Sequence, residues 1–337
     1  MRINREILMK AARDTTAKMV NQNHRLVCVY LTGSMLSSEP MLGGTTDIDL
    51  VVIHDDEIFI EREIIPLNDD IHFDISHLPS AFFRQTRNLR VDPWIGSYMC
   101  LNPICLHDSQ HWFEFTQAGI CSQCDRPDYI LQRSRAMSEA ARQNWFAVNS
   151  IPKTEGNNRL VNYLKSLECA ANAIALLSGA PLTERRFLLE YPERAEKIGR
   201  PGLSSGLIDM LMMDSPSDNE WDQWLQDWET ALIETGNIDK CPPRLYSSRT
   251  HYYVRSAAAL HSDHPSAALW ILIHSWSLAC TILNDSSPSM IAWQDISKKL
   301  GLNQENIKNR MDELDAYLDM VDETLDWWGN EHGVQIS

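Results

Sequence analysis

Two aspartates one residue apart open an apolar run near the start of this chain, and their spacing is the feature most able to do chemistry. The stretch reads Val27-Cys-Val-Tyr-Leu-Thr-Gly33-Ser34, then Met35 to Thr46, then Asp47-Ile48-Asp49-Leu-Val-Val-Ile53. On a strand, alternate side chains share a face, so Asp47 and Asp49 stand side by side, roughly 7 Å apart. Neighbouring carboxylates repel one another unless a cation sits between them. Hard oxygen donors on a rigid strand suit Mg²⁺, which commonly takes one or two carboxylates together with phosphate oxygens. A third carboxylate, Asp74, lies in Asp70-Ile-His-Phe-Asp74-Ile-Ser-His-Leu, flanked by Phe73 and Ile75. Charges at one end of interior strands are costly to keep without a use. The pattern therefore predicts a site for a metal and a nucleotide.

The elements that must position these residues are legible from periodicity. Val27 to Leu31 is apolar and β-branched enough for a buried strand, stopped by Gly33-Ser34. Gly43-Gly44 supplies a turn before the second strand, 48–53, and 71–75 reads as a third. Ile7, Leu8, Ala11, Ala12, Thr15 and Met19 form a stripe predicting a helix over 4–22. Pro103 to Ser109 reads as another strand, and Trp112 to Ile120 as a helix. From about Asp128 the pattern is helical throughout. Residues 159–178 make a strong helix ended by Gly179 and Pro181, and Trp221, Trp224, Leu225, Trp228 and Leu232 form one apolar helical face. The closing helix carries Ile307, Met311, Leu314, Leu318, Val321 and Leu325 on one side. Asp312 to Asp326 on its other side holds seven acidic residues and no Lys or Arg.

The ordered set Gly33-Ser34, Asp47-Ile48-Asp49 and Asp74 resembles the polymerase-β-like nucleotidyltransferase superfamily. That pattern is apolar-Gly-Ser, a loop, an apolar-flanked Asp-x-Asp, and a third acidic residue on a later strand. The resemblance covers roughly the first 125 residues. An all-helical second half gives a layout similar to antibiotic nucleotidyltransferases, aminoglycoside-modifying ones above all. The resemblance implies an α+β protein: a nucleotidyltransferase catalytic domain over 1–127, with a mixed sheet and helices, and a helical domain over 128–331 that closes the cleft on substrate. It further implies transfer of a nucleoside monophosphate, AMP from ATP foremost, to a hydroxyl of a small molecule such as an aminoglycoside, with release of pyrophosphate. Asp47 and Asp49 would hold Mg²⁺ on the triphosphate, with room for a second ion about 3.5–4 Å away. Backbone N–H groups around Gly33 and Ser34 would cradle the outer phosphates. Asp74 either completes the second metal site or takes the acceptor's proton. Arg159 and Lys165, on the first strong helix after the change of character, are candidates to reach the triphosphate.

The bulk properties narrow the substrate. The chain has 337 residues, enough for two cores, with 44% hydrophobic and 23% charged residues. A net charge of −16 opposes binding to a nucleic-acid backbone and favours a small-molecule or protein substrate. One motif points the other way: Asp295 to Met311 resembles a helix-turn-helix with four basic and two acidic residues. A non-catalytic, regulatory protein of the same fold, binding nucleotide or touching DNA through 295–311, is the competing expectation. The first residues mix both charge signs and show no apolar signal segment. Ala267 to Leu283 is apolar but short and interrupted by His274, Ser275 and Ser277, as in a buried helix rather than a membrane span. Among eight cysteines, Cys100, Cys105, Cys121 and Cys124, near His107 and His111, raise a zinc reading. Against it, Ile104-Cys105-Leu106 reads as a strand interior. The expectation adopted is reduced, mostly buried cysteine in a cytoplasmic protein.

Overall fold

Apolar residues at every position of Leu26–Leu31, all buried, force that segment to the inside of a sheet. In the computed structural model, which describes residues 4–239 and 241–334, this strand is β1 (Leu26–Thr32). It follows helix α1 (Arg5–Gln22), whose first turn is capped by the Asn4 side chain on the Ile7 N–H. A 3₁₀ turn (Gly33–Leu36) leads by a loop to β2 (Thr46–His54); β3 (Arg62–Pro66) and β4 (Ile71–Pro79) follow. Two short helices, α2 (Thr86–Leu89) and α3 (Ile95–Met99), precede β5 (Ile104–Asp108) and α4 (Trp112–Cys121). The five strands form one mixed sheet in the order β3-β4-β2-β1-β5. β2 runs parallel to β4, and every other pairing is antiparallel. Residues 1–3, the first of those that show no apolar signal segment in the sequence, lie outside the described residues.

The period-2 alternation sorts this sheet into two faces. Leu31, Ile48, Leu50, Val52, Ile71, Phe73 and Ile75 pack on Leu8 and Ala12 of α1. The opposite face carries Tyr30, Ile53, Val51 and Leu78, packed with Phe83, Leu89, Met99, Phe113 and Ile120 from the α2–α4 region. That second face is apolar only toward the ends of β2 and β4. Toward their starts, the same alternation places Asp47, Asp49, His72 and Asp74 on it.

The chain divides into two compact units, Met1–Tyr129 and Ile130–Ser337. α5 (Pro127–Ser150) begins in the last residues of the first. The second is helical: α6 (Gly156–Ala175), α7 (Phe187–Lys197), α8 (Pro201–Asp209), α9 (Asp218–Gly236), α10 (Thr250–Leu260), α11 (Pro265–Ala279), α12 (Pro288–Lys299) and α13 (Ile307–Glu331). α11 is buried on nearly all sides, packing on α6, α7, α9 and α10, which is why its sequence is apolar around the whole helix. Among the described residues no helix is long and apolar enough to cross a membrane. The tryptophan stripe of α9 is core: Trp221, Trp224 and Trp228 are buried, and the Trp228 indole donates to Ser275 Oγ at 3.1 Å. α5 presents arginines to the acidic side of α13. Arg142 donates to Asp315, Asp319 and Asp322, and Arg135 to Asp326.

One half-buried carboxylate of the helical unit gathers several partners. Glu184 bonds His274 Nδ1 at 2.6 Å and accepts from Tyr253 Oη at 3.3 Å, with Arg244 Nη1 4.0 Å away. Burial alone would raise its carboxyl, but His274, Arg244 and Arg249 outweigh this and hold it well below the usual carboxylate range.

Two expectations from the sequence need correction. β3 has no counterpart among the predicted strands, and Cys105 is exposed rather than interior. Both strands are sheet edges, where one flank lacks a neighbour and the apolar signal is weakest.

Candidate functional site

Gly33 is the pivot of the site. Its φ of +72° is the left-handed conformation that L side chains rarely adopt. A Cβ placed there would sit 1.9 Å from Asp49 Oδ2. Glycine is therefore needed twice over, to reverse the chain after β1 and to let the backbone approach the Asp49 carboxylate. The ladder makes the same juxtaposition, because Thr32 is the register partner of Asp49. Past Gly33 the chain coils through the 3₁₀ turn anchored by buried Met35, with the Ser37 N–H on Ser34 O at 3.0 Å. Ser34 Oγ lies 3.3 Å from Thr46 Oγ1, which itself donates to Pro40 O at 2.9 Å. The Gly-Ser turn and the start of β2 are thus tied together directly. Gly43 and Gly44, with φ of +60° and +79°, turn the intervening loop so that Thr46 enters the sheet.

Asp47 and Asp49 share the second face of β2, as the spacing requires. In the parallel β2–β4 ladder, Asp49 is opposite Asp74 and Asp47 opposite His72. Paired positions on neighbouring strands are about 4.8 Å apart and face the same way. Asp74, Asp49 and Asp47 therefore stand on adjacent positions of two central strands. Asp47 is buried, with His72 Nδ1 3.7 Å from its Oδ1. Asp74 is also buried, and both its oxygens are taken by one guanidinium. Arg62 Nε donates to Oδ1 at 2.7 Å and Nη2 donates to Oδ2. The fork follows from register, since Arg62 sits two residues before Ile64, the partner of Asp74, and so projects from the same face of β3. The constellation is three carboxylates against one guanidinium and one imidazole.

Arg62 and His72 were not among the residues singled out from sequence. His72 was recoverable, being two residues before Asp74 and therefore on its face. Arg62 was not, because its position depends on a short edge strand. Arg159 and Lys165 both have partners inside the helical unit: Arg159 Nε donates to Val148 O at 3.2 Å, and Lys165 Nζ to Glu168 Oε2 at 2.6 Å. Asp108, at the end of β5, caps α4. Burial would raise its carboxyl, but the N–H groups of Phe113, Trp112 and Gln110 outweigh that and lower it. In the segment 295–311, α12 and α13 do meet at a turn through Gly301. However, Arg310 is buried on Gly301 O, Asp209 O and Glu313, and Lys299 pairs with Glu220.

Chemically, the arrangement offers the carboxylate oxygens of Asp47 and Asp49, hard donors of the kind a divalent cation takes, beside a glycine turn where backbone comes close. Among the described residues, the group of three Cys, His or carboxylate ligand atoms lying within 4.8 Å of one another is Cys100, Cys121 and Cys124, which includes none of these aspartates. No family model matches the chain, and no curated protein matches it.

Proposed function

We propose that this chain is a polymerase-β-like nucleotidyltransferase, moving a nucleoside monophosphate, AMP from ATP first among them, from a Mg-bound triphosphate to a hydroxyl of a small molecule of the aminoglycoside kind. The observation that carries the reading is Gly33, held left-handed against Asp49 Oδ2, with Asp47 two residues away and Asp74 at the register position of Asp49. A bound Mg²⁺ would neutralise charge on the α-phosphate and on the leaving pyrophosphate. Asp47 and Asp49 would be its protein ligands, both carried on a central strand that fixes their separation. The Gly33–Ser34 turn would receive the outer phosphates on backbone N–H groups, and Ser34 Oγ would add a hydrogen bond. The acceptor oxygen attacks the α-phosphorus as the bond to the β-phosphate bridging oxygen breaks. Its proton passes to Asp74, if that residue acts as base. Each carboxylate oxygen has two lone pairs, so the Arg62 fork leaves one on each for an acceptor hydroxyl or a second cation. An acidic protein would attract a polycationic acceptor.

The test measures pyrophosphate release with each NTP and Mg²⁺ across aminoglycosides and other hydroxylated acceptors, with calorimetry of NTP binding alongside. Mg²⁺ and ATP should bind together more tightly than either alone, and Asp49→Asn should abolish that synergy in a folded protein. Synergy without turnover on any acceptor would favour a regulatory nucleotide-binding protein. Equal ATP affinity with Mg²⁺ and with excess chelator would overturn the metal-site reading.

A further inference from the structure

Three cysteines of the sheet-containing unit converge sulfur to sulfur. Cys100 follows α3, while Cys121 and Cys124 form a C-x-x-C at the end of α4. Their Sγ atoms all lie within 4.8 Å of one another, and the Cys100 thiol is in hydrogen-bonding reach of both others. In a tetrahedral zinc thiolate with Zn–S of about 2.3 Å, sulfurs are about 3.8 Å apart, so the cluster needs only a small contraction. Cysteines used for packing behave differently in the same chain: Cys28, Cys169, Cys241 and Cys280 are buried, whereas these three are half-buried.

The surroundings hold the three thiols in place. Arg90 donates twice to Gly119 O, at 3.1 and 2.7 Å, and once each to Ser122 Oγ at 3.1 Å and Gln123 Oε1 at 3.3 Å. Gln117 Nε2 donates to Met99 O at 3.1 Å, joining α4 to the residue before Cys100. The helices meet closely enough that a Cβ on Gly96 would lie 1.7 Å from Leu89 O, and one on Gly119 3.0 Å from Thr86 Oγ1. A C-x-x-C whose intervening residues are held by a guanidinium, with a third thiol brought in from another element, is a preorganised soft-metal site. A disulfide between two of them would leave the third thiol unused and would need an oxidant.

We propose that Cys100, Cys121 and Cys124 bind one Zn²⁺ as thiolates, with water in the fourth position, stapling the end of α3 to the end of α4. The thiols lose their protons on binding, so loading releases up to three protons and strengthens as pH rises. This site is independent of the nucleotide chemistry proposed for the aspartates.

The experiment titrates the reduced full-length protein with Co²⁺ and then Zn²⁺, reading absorbance and thermal unfolding. The expected result is one ion per chain, a thiolate-to-cobalt charge-transfer band with tetrahedral ligand-field bands, displacement by Zn²⁺, and a higher unfolding temperature. Cys100→Ser and Cys124→Ser should each lower affinity roughly 100-fold or more, and Arg90→Met by about tenfold. Cys105→Ser, in the same unit, should match wild type. The wild-type spectrum keeps the test valid if a variant misfolds. Absence of the thiolate band in reduced wild type, or equal Co²⁺ affinity in a folded Cys100→Ser, would overturn the proposal. So would a Cys121–Cys124 disulfide in freshly purified protein that, once reduced, binds no metal.

Discussion

The fork of Arg62 on Asp74 sets what the third carboxylate can do. It fixes the orientation of a buried charge and places a permanent cation on the carboxylate that is the register partner of Asp49. Arg62→Met removes that cation while keeping most of the packing, and raises the net negative charge of the carboxylate group by one. Divalent-cation affinity should then rise several-fold, and stability should fall by about 1–2 kcal/mol because a buried charge loses two charge-assisted bonds. Calorimetry with Mg²⁺ and urea unfolding check the two halves separately; an unchanged Mg²⁺ affinity would mean that Asp74 lies outside the cation's reach. A second residue-scale expectation concerns Glu184. Its carboxyl is held below the usual range, so its stabilising contribution is complete above about pH 4.3 and is lost as pH falls further, toward its folded value. Glu184→Gln should cost about 1–2 kcal/mol near neutral pH, because the charge-assisted bonds that His274, Tyr253 and Arg244 direct at one half-buried carboxylate are weakened. The gap between wild type and variant should narrow below about pH 4 in urea titrations. A gap that widens on acidification would have the wrong sign.

At the scale of elements, the acidic side of α13 is an interface. Asp315, Asp319 and Asp322 fall at i, i+4 and i+7, and a single residue of α5, Arg142, reaches all three, while Ser138 donates to Asp322 as well. The run 312–326 holds seven carboxylates and no Lys or Arg; Arg310, just before it, pairs with Glu313, while Arg135 and Arg142 come from a helix some 180 residues earlier. Arg142→Met should destabilise by about 2 kcal/mol, and added salt should recover part of that loss by screening the orphaned aspartates. Thermal unfolding at low and high ionic strength measures both effects, and a variant as stable as wild type at low salt would show the network to be energetically idle. The same separation in sequence explains why some elements were legible and others not. β1, β2 and β4 are central strands flanked on both sides, so their apolar runs are strong, and α1, α4, α6 and α9 declare themselves by a helical stripe. β3 is five residues at an edge, with only Ile64 buried, and gives almost no periodic signal.

For the whole molecule, a net charge of −16 sets long-range behaviour, whichever acceptor is used. Contact with DNA through 295–311 would need its basic residues free. Arg310 and Lys299 are already engaged, leaving Lys298 and Lys308 exposed. No salt-sensitive shift of a duplex is expected at about 0.15 M salt. A clear shift abolished by Lys308→Glu would reverse this ranking; Arg310 is unsuitable for the test because removing it disturbs packing.

What the sequence determined by itself was local: which residues could share a face, where the chain had to turn, and which helices had an apolar side. Period-2 alternation placed Asp47 beside Asp49, and a glycine after a buried strand marked the reversal at Gly33, because both depend on a few consecutive residues. Tertiary structure alone decided that Asp74 stands opposite Asp49, that Arg62 occupies it, that Arg142 meets three aspartates of α13, and that Cys100 meets Cys121 and Cys124. Each of these depends on strand register or on the approach of elements distant in sequence. Such approaches are set by packing and hydrogen bonding between elements, and spacing along one chain does not encode them.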